Sequence, residues 1–91
     1  MLTTPFEDIW NRIISHQGEI FHTKSRLEFT YRIEGNRFYS SRADWIITKT
    51  DFIKAYKFVP IDGPGVISSD VMGPSYVWAV LHDKRISLGI W

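Results

Sequence analysis

Histidine is the side chain best suited to acid–base chemistry near neutral pH, and it occurs three times, as His16, His22 and His82. No two stand four residues apart, the spacing that sets two imidazoles on one helical face for zinc. The chain has no cysteine, so no thiolate can complete a metal site or act as a nucleophile. His16 falls near the end of a helical pattern, where the helix dipole favours a cation. All three histidines therefore read as surface or structural groups, and neither a metal nor a cofactor is expected.

Other catalytic constellations are equally thin. His82-Asp83 is a dipeptide also used by metal-dependent phosphohydrolases, but those enzymes need further ligands on a large helical scaffold, and the chain has 91 residues. A metal-dependent nuclease needs two carboxylates and a lysine together on a hairpin. Glu28, Asp44 and Lys49 are the candidates, yet strand alternation places Glu28 on an exposed face. Ser75 follows Gly73-Pro74 at a predicted helix start, where free N–H groups favour an anion; Gly-Pro also marks a helix start with no ligand at all. No catalytic residue is assigned, and the chain is expected not to be an enzyme.

The strongest functional pattern is basic and aromatic, and it lies in Arg26–Arg42. This stretch alternates Leu27, Phe29, Tyr31 and Ile33 against Glu28, Thr30 and Arg32, turns at Gly35-Asn36, and returns through Arg37, Phe38 and Tyr39. A two-residue turn there sets Glu34 opposite Arg37, Ile33 opposite Phe38, Arg32 opposite Tyr39 and Tyr31 opposite Ser40. Arg32, Arg37 and Tyr39 then share a polar face, with Arg26 and Arg42 near its base. Cationic sheets with an exposed ring attract phosphates and stack bases. The simpler account is a solvated face with Arg32 stacked on Tyr39 and Glu34 paired with Arg37, each pair contributing about 0.2–1 kcal/mol. Lys49 and Lys54, with Lys57, extend the patch if their helix lies beside the hairpin. Charge distribution agrees with an anionic partner: residues 24–57 hold eight of the eleven Lys and Arg side chains against four of the ten acids.

These residues need a scaffold, and the flanking sequence supplies it. Thr4-Pro5-Phe6-Glu7 has the form of a capping box with proline at the first helical position. Phe6, Ile9, Trp10, Ile13 and Ile14 follow at helical spacing, and Gly18 stops the chain, which predicts a helix over Pro5–His16. Glu19–Thr23 and Asp44–Ile47 read as short strands, the latter bringing Trp45 and Ile47 to one side. Thr48 and Asp51 form a second cap-and-acid pair ahead of a helix over Lys49–Phe58, with Pro60 beyond it. Ile61–Gly65 is loop, Val66–Met72 is open between strand, helical turn and loop, and Pro74–His82 is a third helix. In the tail, Ile86, Leu88 and Ile90 alternate with Arg85, Ser87 and Gly89, the pattern of an edge strand.

The expected architecture is a single α+β domain over residues 1–91: an N-terminal helix, a small antiparallel sheet of three or four strands on a central hairpin, two following helices on its apolar face, and a C-terminal edge strand. A winged helix is excluded, because the hairpin precedes the last two helices. Met1–Asp8 lacks the basic and apolar regions of a signal peptide, and no apolar run approaches the ~20 residues of a membrane span. With no cysteine, a reducing cytoplasm is the expected location.

Gly18-Glu19-Ile20-Phe21-His22-Thr23, Phe29-Thr30-Tyr31, Gly73-Pro74-Ser75-Tyr76-Val77-Trp78-Ala79 and Asp83-Lys84-Arg85-Ile86 together resemble a pattern in small uncharacterised bacterial proteins, some of them similar to products of mobile genetic elements. The resemblance spans most of the chain through packing and turn residues. It implies a bacterial or phage origin and carries no activity or site. Two functions remain: a non-enzymatic nucleic-acid (DNA- or RNA-) binding module using the hairpin face, or a homodimeric protein-interaction or small-ligand module using Trp78, Trp91 and the exposed edge of Ile86–Trp91.

Overall fold

The computed structural model describes residues 4–91. The expectation for Met1–Asp8 falls partly on residues 1–3, which lie outside the described residues. Helix α1 runs over Phe6–Ser15. Its apolar stripe buries Ile9, Trp10 and Ile13, while Ile14, at the stripe's margin, stays exposed. The expected capping box at its start does not form. Pro5 is the N-cap and no side chain caps the helix. Glu7 instead takes the Lys49 ammonium at 2.7 Å, and the Thr4 backbone carbonyl accepts from the Tyr56 hydroxyl at 2.6 Å.

Five short strands follow. β1 (Phe21–His22) pairs antiparallel with β2 (Glu28–Phe29), and β3 (Tyr31–Glu34), β4 (Arg37–Ser40) and β5 (Ile47–Thr48) form a second antiparallel sheet in that order. The hairpin register is the expected one, from Tyr31↔Ser40 to Glu34↔Arg37. Of the two turn residues only Gly35 takes a positive φ, +60°, the conformation glycine adopts without Cβ strain.

The strand expected to run unbroken from Arg26 to Ile33 is divided. Arg26 adopts φ +69°, and Thr30 separates β2 from β3. Leu27 loses its place on the apolar face and is about half exposed (48%). The outer edge of β3 is closed by the α1–β1 connection: Gly18 N–H donates to Tyr31 O at 3.0 Å, and Ile33 N–H to Gln17 Oε1 at 2.6 Å. Asp44–Ile46 is not strand; pairing with β4 begins at Ile47, and Trp45 is left about half exposed.

Helix α2 (Lys49–Tyr56) starts with the expected box, Thr48 Oγ1 accepting from Asp51 N–H and the Asp51 carboxylate accepting from Thr48 N–H. A single 3-10 turn at Pro64–Val66 ends the expected loop and reaches only Val66 of the open stretch; residues 67–72 are turn and bend. Helix α3 (Pro74–His82) has its expected bounds. The tail departs from expectation. Lys84–Ser87 is a short helix, α4, with the Asp83 side chain capping Arg85 N–H and Leu88 left-handed at its end. Ile86 is buried, and Leu88 and Ile90 are exposed. The alternation that suggested an edge strand is a helical turn followed by a reversal.

One core joins these parts. Phe21, Phe29, Tyr31, Phe38 and Ile47 from the sheets meet Ile9, Trp10 and Ile13 of α1, Phe52 and Ala55 of α2, and Val77 to Leu81 of α3. Ring contacts dominate its centre, with Tyr31 stacked on Phe38 at 4.6 Å and Phe38 against Phe52 at 5.0 Å. Each such buried side chain contributes about 1.5–3 kcal/mol. All the helices' buried stripes face this core, so α2 lies on the Phe38 side of the sheet and the other side of the hairpin is left to solvent. Among the described residues, no helix is long and apolar enough to cross a membrane.

Candidate nucleic-acid interface

The open face of the hairpin follows from its register. Strand alternation turns Tyr31, Ile33, Phe38 and Ser40 toward the core side, and Arg32, Glu34, Arg37 and Tyr39 away from it. The Arg32 guanidinium carbon lies 4.1 Å from the centre of the half-buried Tyr39 ring. The Arg32 charge is paired with Glu34, two residues along the same strand face. Glu34 was expected to pair across the strands with Arg37. It does not, which leaves Arg37 exposed and without an ion-pair partner among the described residues. The Arg32–Glu34 pair is about 60% exposed on both sides, so solvent screening holds it to about 0–1 kcal/mol. A stronger anion can displace that carboxylate.

The remaining basic candidates do not gather on this face. Arg42 donates from Nε to the Glu28 carbonyl at 2.5 Å, tying the end of β4 to β2 beside the open end of the hairpin. Arg26 belongs to the turn of the smaller sheet, its N–H bonded to Thr23 O at 2.9 Å. Lys49 crosses to Glu7 on α1 and stands 5.9 Å from the Trp10 ring, with a fifth of its side chain exposed. Lys54 and Lys57 are exposed on and just after α2. Because α2 packs on the opposite side of the sheet, Lys49 and Lys54 do not extend the arginine face. The structure brings together Arg32, Arg37 and Tyr39, with Arg42 nearby in the chain.

The carboxylate–lysine candidates likewise stay apart in their contacts. Glu28 lies 3.7 Å from His22 and Lys49 is engaged by Glu7. Among the described residues, no three of His, Asp and Glu gather closely enough to hold a metal ion. His82 stacks flat on Trp78 at 4.5 Å. It borders a cavity of about 220 Å³ whose walls include Pro60, Asp62, Leu81 and Trp91.

Two features had no usable signal in the sequence. The first is a hollow of about 490 Å³ at the open end of the hairpin, reached by Arg32 and Tyr39 and by Thr30 and Ser41 of the flanking segments. The second is a charged cluster around Arg85. Its guanidinium binds Asp83 at 2.9 and 3.0 Å, Glu19 at 3.0 Å and the Ile20 carbonyl at 2.8 Å, and Glu19 also meets His16 Nδ1 at 2.8 Å. His16 and Arg85 hold the Glu19 carboxyl below its ordinary range. Burial pushes Asp83 up, but the Arg85 hydrogen bonds outweigh it and leave its pKa lowered. The cluster locks α4 against the start of β1.

No family model, curated protein or solved structure matches this chain. The site therefore rests on its own geometry.

Proposed function

We propose that the chain is a small, non-enzymatic binding module that engages a nucleic-acid strand through the open face of its hairpin. The observation that carries this reading is the Arg32 guanidinium held over the Tyr39 ring, with Arg37, which has no ion-pair partner among the described residues, on the same solvent-facing surface. Arg32 and Arg37 attract phosphates, and Tyr39 offers a stacking surface indifferent to base identity. The basic middle of the chain adds a favourable field. A cysteine-free chain suits the reducing cytoplasm of a bacterial cell, where such strands occur.

The test is fluorescence anisotropy with labelled single- and double-stranded oligonucleotides across a salt series. The parent should bind, with affinity falling steeply as salt rises. Arg32→Ala/Arg37→Ala should bind more weakly with a shallower salt slope, the two charges removing up to about 1.8 from it on duplex DNA. Equal binding by a folded double variant would remove the hairpin face from the reading.

Self-association is the second reading, and its surface has moved. Trp78 is buried and donates to the Ile61 carbonyl at 2.9 Å, Trp91 packs on Tyr56 at 5.4 Å and donates to Leu81 O, and Lys84–Ser87 is helical. The expected strand edge is thereby lost and Trp78 is absorbed into the fold, while Leu88 and Ile90 stay exposed. What favours a partner protein instead is the pair Trp45 and Met72, both about half exposed on either side of Gly73. Analytical ultracentrifugation of the parent and of Trp45→Ser over a concentration series discriminates this reading.

A further inference from the structure

We propose that the hollow at the open end of the hairpin receives one unstacked nucleobase of a bound single strand. This inference rests on the nucleic-acid reading above and gives that site its substrate class. At about 490 Å³ the hollow falls in the range of small-molecule sites, about 300–1,000 Å³. The cavity beside His82, about 220 Å³, falls below it.

The walls suit a base. Tyr39 contributes an aromatic surface already partnered by the Arg32 guanidinium at 4.1 Å, the arrangement in which a planar ring adds favourably. Gly18 and Ala43, the two smallest lining residues, leave the space open. Thr30 and Ser41 line the same space. The Ser41 hydroxyl accepts from Thr30 N–H at 3.0 Å, which leaves its own proton free, and the Thr30 hydroxyl makes no hydrogen bond among the described residues. Hydroxyls donate or accept as required, so the two of them tolerate any base edge. The backbone continuing from that base would run toward Arg37 and Arg32, the two cations of the open face. A duplex keeps its bases stacked inside and cannot present one here without extrusion. The occupant is therefore a base of single-stranded DNA or RNA.

The experiment uses the full chain and a single-stranded oligonucleotide carrying one 2-aminopurine, read by anisotropy for affinity and by emission for unstacking. Parent protein should bind and change the 2-aminopurine emission. Ala43→Phe fills the hollow and leaves Arg32, Arg37 and Tyr39 in place. It should lose about tenfold in affinity and the emission change, while its salt slope stays that of the parent. Thr30→Val, which keeps the side-chain shape and removes only a hydroxyl, should lose about threefold, and it serves if Ala43→Phe does not fold. Binding and emission unchanged in both folded variants would overturn the hollow and leave the arginine face standing. A parent that binds no oligonucleotide would overturn both.

Discussion

The Arg85 guanidinium carbon lies 3.7 Å from the centre of the Phe21 ring. One side of that planar cation covers an aromatic side chain with no exposed surface, and its edges bind Asp83, Glu19 and the Ile20 carbonyl. A lysine has no planar fork with which to meet three acceptors and a ring at once. Arg85→Ala should destabilise the fold by about 2–3 kcal/mol, with Arg85→Lys recovering less than half of the loss. Urea unfolding followed by tryptophan fluorescence measures both, and a full recovery by lysine would show that charge alone matters.

The same cluster sets an acid dependence. Asp83 and Glu19 both have lowered pKa values in the folded state. A carboxyl whose folded pKa lies below its unfolded one contributes stability that is present above the unfolded value, about 4. That stability is lost as pH falls through the folded value. Unfolding free energy should therefore drop on acidification below about pH 4, and Arg85→Ala should flatten this part of the profile. Denaturation curves at several pH values between neutral and acid compare the two slopes; parallel slopes would remove the cluster as their source.

Tyr31 works in the opposite pH range. Its hydroxyl donates to the Ile13 carbonyl at 2.6 Å in the buried contact between β3 and α1, and burial raises its pKa well above the ordinary tyrosine value. The neutral phenol is thus the folded form. Its contribution is complete below the unfolded pKa of about 10 and is lost as pH rises through the higher folded one. Tyr31→Phe should cost about 1 kcal/mol at neutral pH, since the Ile13 carbonyl loses its short buried bond and keeps only the long one from His16 N–H at 3.4 Å, and should be less sensitive to alkali than the parent. Thermal melts at neutral and alkaline pH are the measurement.

Asp51 has two duties and Thr48 has one. Thr48 caps α2, while Asp51 completes that box through Oδ2 and accepts Met72 N–H at 3.2 Å through Oδ1. Thr48→Ala should cost about 1 kcal/mol. Asp51→Ala should cost more, because the segment leading into α3 is released as well. Equal losses in chemical denaturation would show that the Met72 contact contributes nothing.

What the sequence disclosed follows the range of the interactions. The β3–β4 register was legible because Gly35 and strict alternation over a few neighbouring residues leave one arrangement with Phe38 inside. The Thr48–Asp51 box and the bounds of α3 are similarly local. The Arg32–Tyr39 stack was legible from that register, whereas the choice of Glu34 for Arg32 over Arg37 was not, since both arginines are long enough to reach it. Thr4 and Glu7 do not form a capping box because the helix begins one residue later, with Pro5 at the N-cap, and Lys49, 42 positions away, engages the Glu7 carboxylate. In the tail, three apolar residues at spacing two suggest a strand, yet a segment that short fits either period, and the Asp83 cap decides for helix. The Arg85–Glu19 pair joins residues 66 apart, and the hollow at the hairpin's end is lined by residues as far apart in the chain as Gly18 and Ala43. No spacing rule reaches either.

Gly73 and Gly35 separate backbone strain from crowding. Both adopt φ +60°, so alanine at either carries the left-handed penalty, about 1 kcal/mol. At Gly35 a Cβ would meet nothing within 4 Å, whereas at Gly73 it would stand 2.5 Å from Ile47 Cδ1 and 3.1 Å from Trp45 Nε1. Ile47 is fully buried between β4 and α3 and has no space to yield. Gly35→Ala should therefore cost about 1 kcal/mol and Gly73→Ala about 2–4 kcal/mol. Ile47→Val deletes the colliding Cδ1 and alone should cost about 0.5–1.5 kcal/mol. The Gly73→Ala/Ile47→Val double variant should then be less destabilised than the sum of its parts, by about 1 kcal/mol or more. A double-mutant cycle from urea unfolding reads this directly. Strict additivity would mean that the contact with Ile47 Cδ1 relaxes without cost, leaving backbone strain and the Ile47 Cγ1 and Trp45 contacts as the source of the Gly73 penalty.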